Sequence, residues 1–234
     1  MIQIFANAQE LARGAAEYFL ARSREAVAEK GFFTVALSGG STPKILYELL
    51  VSTQVPWTKI HFFWSDERHV PPDHPDSNYR MAYEAMLSRV PVPENNVHRV
   101  HGENPDAAKA AYEYEQTLLP LDLILLGLGT DGHTASIFPG SDVLHETKRL
   151  VAATWVEKLN TYRITMTLPL LNTGASVLFL VSGAEKAEIV KDVIEGPKQY
   201  PAQLVQPTHG QLLWMLDKDA ASSLDPCSSA LIRG

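Results

Sequence analysis

The sequence predicts an α/β fold: an open, mostly parallel twisted sheet with helices on both faces. Four short stretches carry the first observation: FFTVAL (32–37), KIHFFW (59–64), LDLILL (121–126) and SVLFLV (176–181). They are rich in β-branched and aromatic residues and almost continuously apolar, as strands covered on both faces are. The second observation is that helical patterns fall between them, and such alternation builds a parallel sheet. With 234 residues, 45% hydrophobic and 20% charged, the chain can bury a real core, and residues 1–234 read as one domain.

The first helix is expected over 7–30, where Ala, Leu, Phe and Val recur at helical spacing; Asn7 serves as its N-cap and Gly31 as its stop. After the strand 32–37 comes SGGSTPK. Pro43 suits the first turn of a helix over 43–51, Thr42 its N-cap, and Gly39 and Gly40 let backbone N–H groups approach an anion. The spacing is not that of a Walker loop. After the strand 59–64 comes SDERHVPPDHPDSNYR, ahead of helical patterns at 77–89 and 105–118. Such a charged run is usually a solvated face. Yet Arg68 is a good fork for a phosphate or carboxylate, and Asp66 suits a sugar hydroxyl or the orientation of a base. All these segments leave strands at their carboxyl ends, where open α/β sheets bind ligands.

The strand 121–126 runs into GLGTDGHTASIFPG, where Gly127, Gly129 and Gly132 match the dinucleotide pattern G-x-G-x-x-G. That match is read as accidental. Pro139-Gly140 allows little more than one helical turn after Gly132, and Glu157 stands 25 positions on, against an expected spacing of about 20 for a ribose partner. The glycines are instead expected to form a tight turn that presents His133 at the start of a short helix, whose dipole keeps the imidazole neutral. Asp131 either opposes that effect or fixes the tautomer. Further on, RITMTL alternates apolar residues with threonines, but in a strictly parallel sheet Arg163 would lie at the wrong end, so this strand must run the other way or be irregular. Lys186 follows the strand 176–181 at the start of a helix over 184–194.

The net charge of −7 argues against a nucleic-acid footprint. No apolar run approaches the roughly 20 residues of a membrane helix, and the N-terminus lacks a signal-peptide pattern, so a cytoplasmic protein is expected. The single Cys227 excludes an intrachain disulfide, and its Ser-rich surroundings make a reactive role unexpected. His98 and His101, three apart in an expected strand, point to opposite faces; His69 and His74 lie in a Pro-rich loop with no evident partner set. No metal is expected.

Taken together, VALSGGSTPK, WSDERHVP, SNYRMAYEAML, LLGLGTDGHTASIFPG, RITMTLPLLN and SGAEKA resemble the 6-phosphogluconolactonase family, over nearly the whole chain and in order. The resemblance implies a fold similar to glucosamine-6-phosphate deaminase and ribose-5-phosphate isomerase. It also implies hydrolysis of 6-phospho-D-glucono-1,5-lactone, a small-molecule phosphosugar, without cofactor or metal, by a monomer or small homo-oligomer. His133 matches the catalytic histidine. Arg68, Arg163 and Lys186 match basic positions near the substrate phosphate, and Gly39, Gly40, Ser41 and Thr42 match a substrate-binding loop. Asp66 and Asp131 match acidic positions lining the pocket, either of which would partner His133. The deaminase motif is similar to GxDGHIAFNEPG, with a glutamate where this chain has Phe138, which argues against deamination. A non-catalytic sugar-phosphate sensor would usually append a helix-turn-helix segment, for which the sequence leaves no room.

Overall fold

A computed structural model describes residues 1–225; Cys227 lies outside the described residues. The elements run β1 (Ile2–Phe5), α1 (Ala8–Lys30), β2 (Phe33–Leu37), α2 (Ser41–Leu50), β3 (Ile60–Trp64), β4 (Asp66–Arg68), α3 (Asn78–Ala85) and α4 (Ala107–Glu115). Then follow β5 (Leu123–Leu126), β6 (Val151–Val156), β7 (Thr161–Met166), α5 (Leu168–Leu171), β8 (Ser176–Val181), α6 (Ala187–Glu195) and β9 (Gln211–Asp217). Six strands form a parallel sheet in the order β1-β9-β8-β5-β2-β3.

Alternation along the central strands divides the interior into two cores. Val35, Leu37, Phe62, Trp64, Leu123 and Leu125 face one side, packed with Leu11 and Phe19 of α1 and Leu46 of α2. Ala36, Phe63, Ile124, Leu126 and Phe179 face the other, with Ala110 of α4 and Val190 of α6. Burial on both faces is why these strands read as unbroken apolar runs. Asn7 and Gly31 bound α1 as expected: the Asn7 side chain accepts from Glu10 N–H at 3.0 Å, and Gly31 takes a left-handed φ of 88°.

Several boundaries differ from the sequence expectation. The helix that follows β2 begins at Ser41, within SGGST, rather than at Pro43, so Gly40, not Thr42, sits at the cap and Thr42 lies inside the first turn. The helical pattern at 77–89 ends at Ala85 and tightens into a 3-10 turn over Leu87–Arg89, and that at 105–118 is confined to Ala107–Glu115. The segment holding His98 and His101 is no strand; Val97 alone bridges Phe62, and His98 Nε2 lies 3.1 Å from His61 Nδ1.

A second sheet, β4-β7-β6, is antiparallel, so RITMTL does run against its neighbours. Ser65 joins the two sheets: its N–H donates to Leu37 O and its carbonyl accepts from Met166 N–H, both at 2.8 Å. Two buried tyrosines close the strand ends just there. Tyr47 Oη accepts from Ser38 N–H at 3.0 Å and donates to Ser38 O at 2.8 Å. Tyr114 Oη does the same for Trp64, at 2.7 and 3.0 Å. Burial pushes both phenols well above their usual range. Tyr114→Phe strips two buried backbone groups of their hydroxyl partner, an expected cost of about 2 kcal/mol. Thermal unfolding should register it as a fall of roughly 5 °C in Tm for a chain of this size.

Candidate active site

The carboxyl ends of β2, β3, β5 and β8 meet around a cleft of about 280 Å³. Gly39, Gly40, Ser41, Thr42, Asp66, Arg68, His133 and Lys186 all line it, as does Asn78, which sequence reasoning passed over. Asp131 and Arg163 are not among the lining residues but stand against ones that are. Asp131 bonds to His133, and Arg163 faces Arg68 in the β4–β7 ladder.

The turn after β5 explains two of its three glycines. Gly129 N–H donates to His133 O at 2.8 Å, Gly132 N–H donates to Gly129 O at 3.0 Å, and Thr134 Oγ1 donates to Gly127 O at 2.9 Å. A Cβ at Gly129 would collide with the His133 ring, and Gly132 holds a φ of +76° against the Tyr200 ring. A Cβ at Gly127 would meet nothing, so its place in the dinucleotide pattern has no steric meaning here.

The short helix expected after His133 does not form. Thr134 and Ile137 pair across a one-bridge turn in which Ala135 takes a φ of +48°. The tertiary structure captures the next residue: Ser136 N–H donates to Thr165 Oγ1 at 3.1 Å, and Ser136 Oγ donates to Asp66 Oδ2 at 2.6 Å. His133 therefore does not open a helix of its own. Its electrostatic partner is Asp131, whose Oδ1 meets His133 Nδ1. A carboxylate only accepts, so Nδ1 carries the proton and Nε2 is left as the basic nitrogen. Phe138 packs on the same ring, with centroids 4.2 Å apart.

Lys158, also absent from the sequence reading, pairs with the other oxygen of Asp131. Partial burial works to raise the Asp131 carboxyl, but the hydrogen bonds from Lys158 and His133 outweigh it and hold the group well below the usual carboxylate range. Asp66 takes a different part. Besides Ser136 it accepts from Asn78 Nδ2, which also donates to the Asp66 carbonyl at 2.9 Å.

The cations are positioned by buried acids. Glu67 accepts from the backbone N–H groups of Arg68, Asn78 and Tyr79 at 2.7–2.8 Å and from Ser77 Oγ at 3.0 Å. It thereby ties β4 to the start of α3. Asp217, at the end of β9, accepts from Gly183 N–H at 3.1 Å and Ala220 N–H at 2.8 Å, which anchors the loop leading to Lys186. Thr42 Oγ1 and Ser182 Oγ, 2.8 Å apart, join that loop to α2. Burial, then the adjacent Arg68, push the Arg163 guanidinium below its usual value, while Asp66, Asp76 and Glu67 act against the shift. Two like charges opposite each other in a ladder repel, and an anion between them would relieve the repulsion.

Residues 6–214 match the family described as glucosamine-6-phosphate isomerases/6-phosphogluconolactonase. The chain is 44% identical to a 6-phosphogluconolactonase of Synechocystis sp., across 96% of this chain and 98% of that protein. A solved 6-phosphogluconolactonase from Trypanosoma brucei is similar at 30% identity with a TM-score of 0.88, covering 96% of this chain and 98% of that one. A monomeric glucosamine-6-phosphate deaminase shares the fold, at 21% identity, a TM-score of 0.84, and coverage of 95% and 99%.

Proposed function

The chain belongs to the glucosamine-6-phosphate isomerase/6-phosphogluconolactonase family, and on that premise we propose that it hydrolyses 6-phospho-D-glucono-1,5-lactone to 6-phospho-D-gluconate in the oxidative pentose phosphate pathway. The observation that carries the reading is the Asp131–His133 pair, with Nε2 unbonded among the described residues, on a cleft that also receives Arg68 and Lys186. A lactone is an activated ester, so one positioned base suffices without a serine nucleophile. His133 Nε2 takes a proton from water as its oxygen bonds to C1. The tetrahedral intermediate then expels the ring oxygen, which leaves as the C5 hydroxyl with the proton that His133 returns. Asp131 supports the transient imidazolium, as a carboxylate on Nδ1 does. Arg68, Arg163, Lys186 and the Gly39–Thr42 turn at the start of α2 are assigned to the phosphate, whose charge suits a helix N-terminus. Asp66 is assigned to a substrate hydroxyl. The reaction needs no cofactor, and the reading fits a cytoplasmic enzyme.

Phe138 stands where the sugar-phosphate deaminases carry a glutamate, and it packs on the catalytic ring instead of exchanging protons with it. A coupled assay on both substrates decides the matter. Hydrolysis of the lactone above its spontaneous opening is expected, with no ammonia from glucosamine 6-phosphate. Ammonia release would overturn the reading, and phosphosugar binding without turnover would make the protein a sensor.

A further inference from the structure

The β6–β7 hairpin tip is a 3-10 turn, Glu157–Leu159, closed by Asn160 at a left-handed φ of 47°. It delivers Lys158 to the far side of the histidine pair. There Lys158 makes two contacts, one to Asp131 Oδ2 and one to the Phe138 ring, with Nζ 4.6 Å from its centroid. Asp131 and Phe138 both border the His133 ring, at Nδ1 and on its face. A surface lysine serving only solubility would not converge on both.

We infer that Lys158 is a positioning residue: it holds the outer oxygen of Asp131, so that the inner oxygen stays on His133 Nδ1 and Nε2 keeps facing water. The inference rests on the lactonase reading for its kinetic form. Without the ammonium, the Asp131 carboxylate, about a third exposed (34%), is free to turn away. Among the described residues, the other charged groups lining the same cleft are Asp66, Arg68 and Lys186; the Tyr200 ring behind Gly132 has its hydroxyl on Asp192. None of them touches Asp131.

Lys158→Ala is expected to lower kcat about tenfold and leave KM within about twofold. The loss is partial rather than complete because the lysine side chain is 55% exposed and its charge partly screened. Lys158→Arg should restore kcat, whereas a residue that only packs the hairpin would not need a cation. A raised KM with unchanged kcat would make Lys158 a phosphate ligand and overturn the inference, as would parent-like behaviour of Lys158→Ala. If the parent protein shows no lactonase activity, the functional reading fails, and nitrogen-15 NMR of the histidine ring still decides the role of Lys158. A parent ring protonated at Nδ1, with mixed tautomers in Lys158→Ala, supports it; identical spectra overturn it.

Discussion

His133→Ala is expected to lower kcat by about 10²–10⁴, the usual contribution of a positioned general base. KM and Tm should change little. The ring is not a core element: it lies in a turn that its backbone closes through Gly129 and Gly132, and those bonds survive loss of the side chain. The measurement is a pH-stat assay corrected for spontaneous lactone opening, with thermal unfolding as the control. Equal kcat in mutant and parent would remove His133 from the base role. The size of the effect follows from how specifically the ring is held. Asp131 fixes its tautomer, Phe138 covers one face, and the missing Cβ of Gly129 leaves room for the ring against the turn.

Arg163→Met is expected to separate binding from stability. The methionine keeps most of the apolar stem and removes the charge. Losing one charge-assisted contact to a phosphate raises KM by about 10–100-fold, with kcat near the parent value, because that grip is made equally in ground and transition states. The free protein should be no less stable and can gain a few tenths of a kcal/mol, since a like-charged cross-strand pair has been relieved. Inorganic phosphate should raise the Tm of the parent more than that of the variant. An unchanged KM would return Arg163 to a structural role opposite Arg68.

Much of this architecture is legible along the chain. The strands at 33–37, 60–64, 123–126 and 176–181 are found within a residue or two of their apolar runs, because burial on both faces leaves an unbroken local signature. Ile2–Phe5 and Gln211–Asp217 escape notice: the first is too short for a periodic signal, and the second follows a Pro- and Gly-punctuated stretch. Candidate site residues are legible for a related reason. Gly39–Thr42, Asp66, Arg68, His133 and Lys186 each lie a few residues past the carboxyl end of a strand of the parallel sheet, and strand ends on one edge of such a sheet converge.

The amino-acid order by itself determined the strand-and-helix alternation, the sheet edge that carries polar chemistry, and the turn that exposes His133. Those properties depend on apolar period and glycine placement within a few neighbouring residues. Only the tertiary structure decided that Asp131 rather than Asp66 holds the histidine, that Ser136 is drawn to Asp66 and Thr165 in place of a helix, that Arg163 faces Arg68, and that Lys158 reaches Asp131. Apart from the Asp131–His133 contact within one turn, each of these is a pairing between segments far apart in the chain. Its existence depends on the register of the β4-β7-β6 sheet, where a slip of one residue would turn Arg163 to the opposite face, and no local pattern encodes that register.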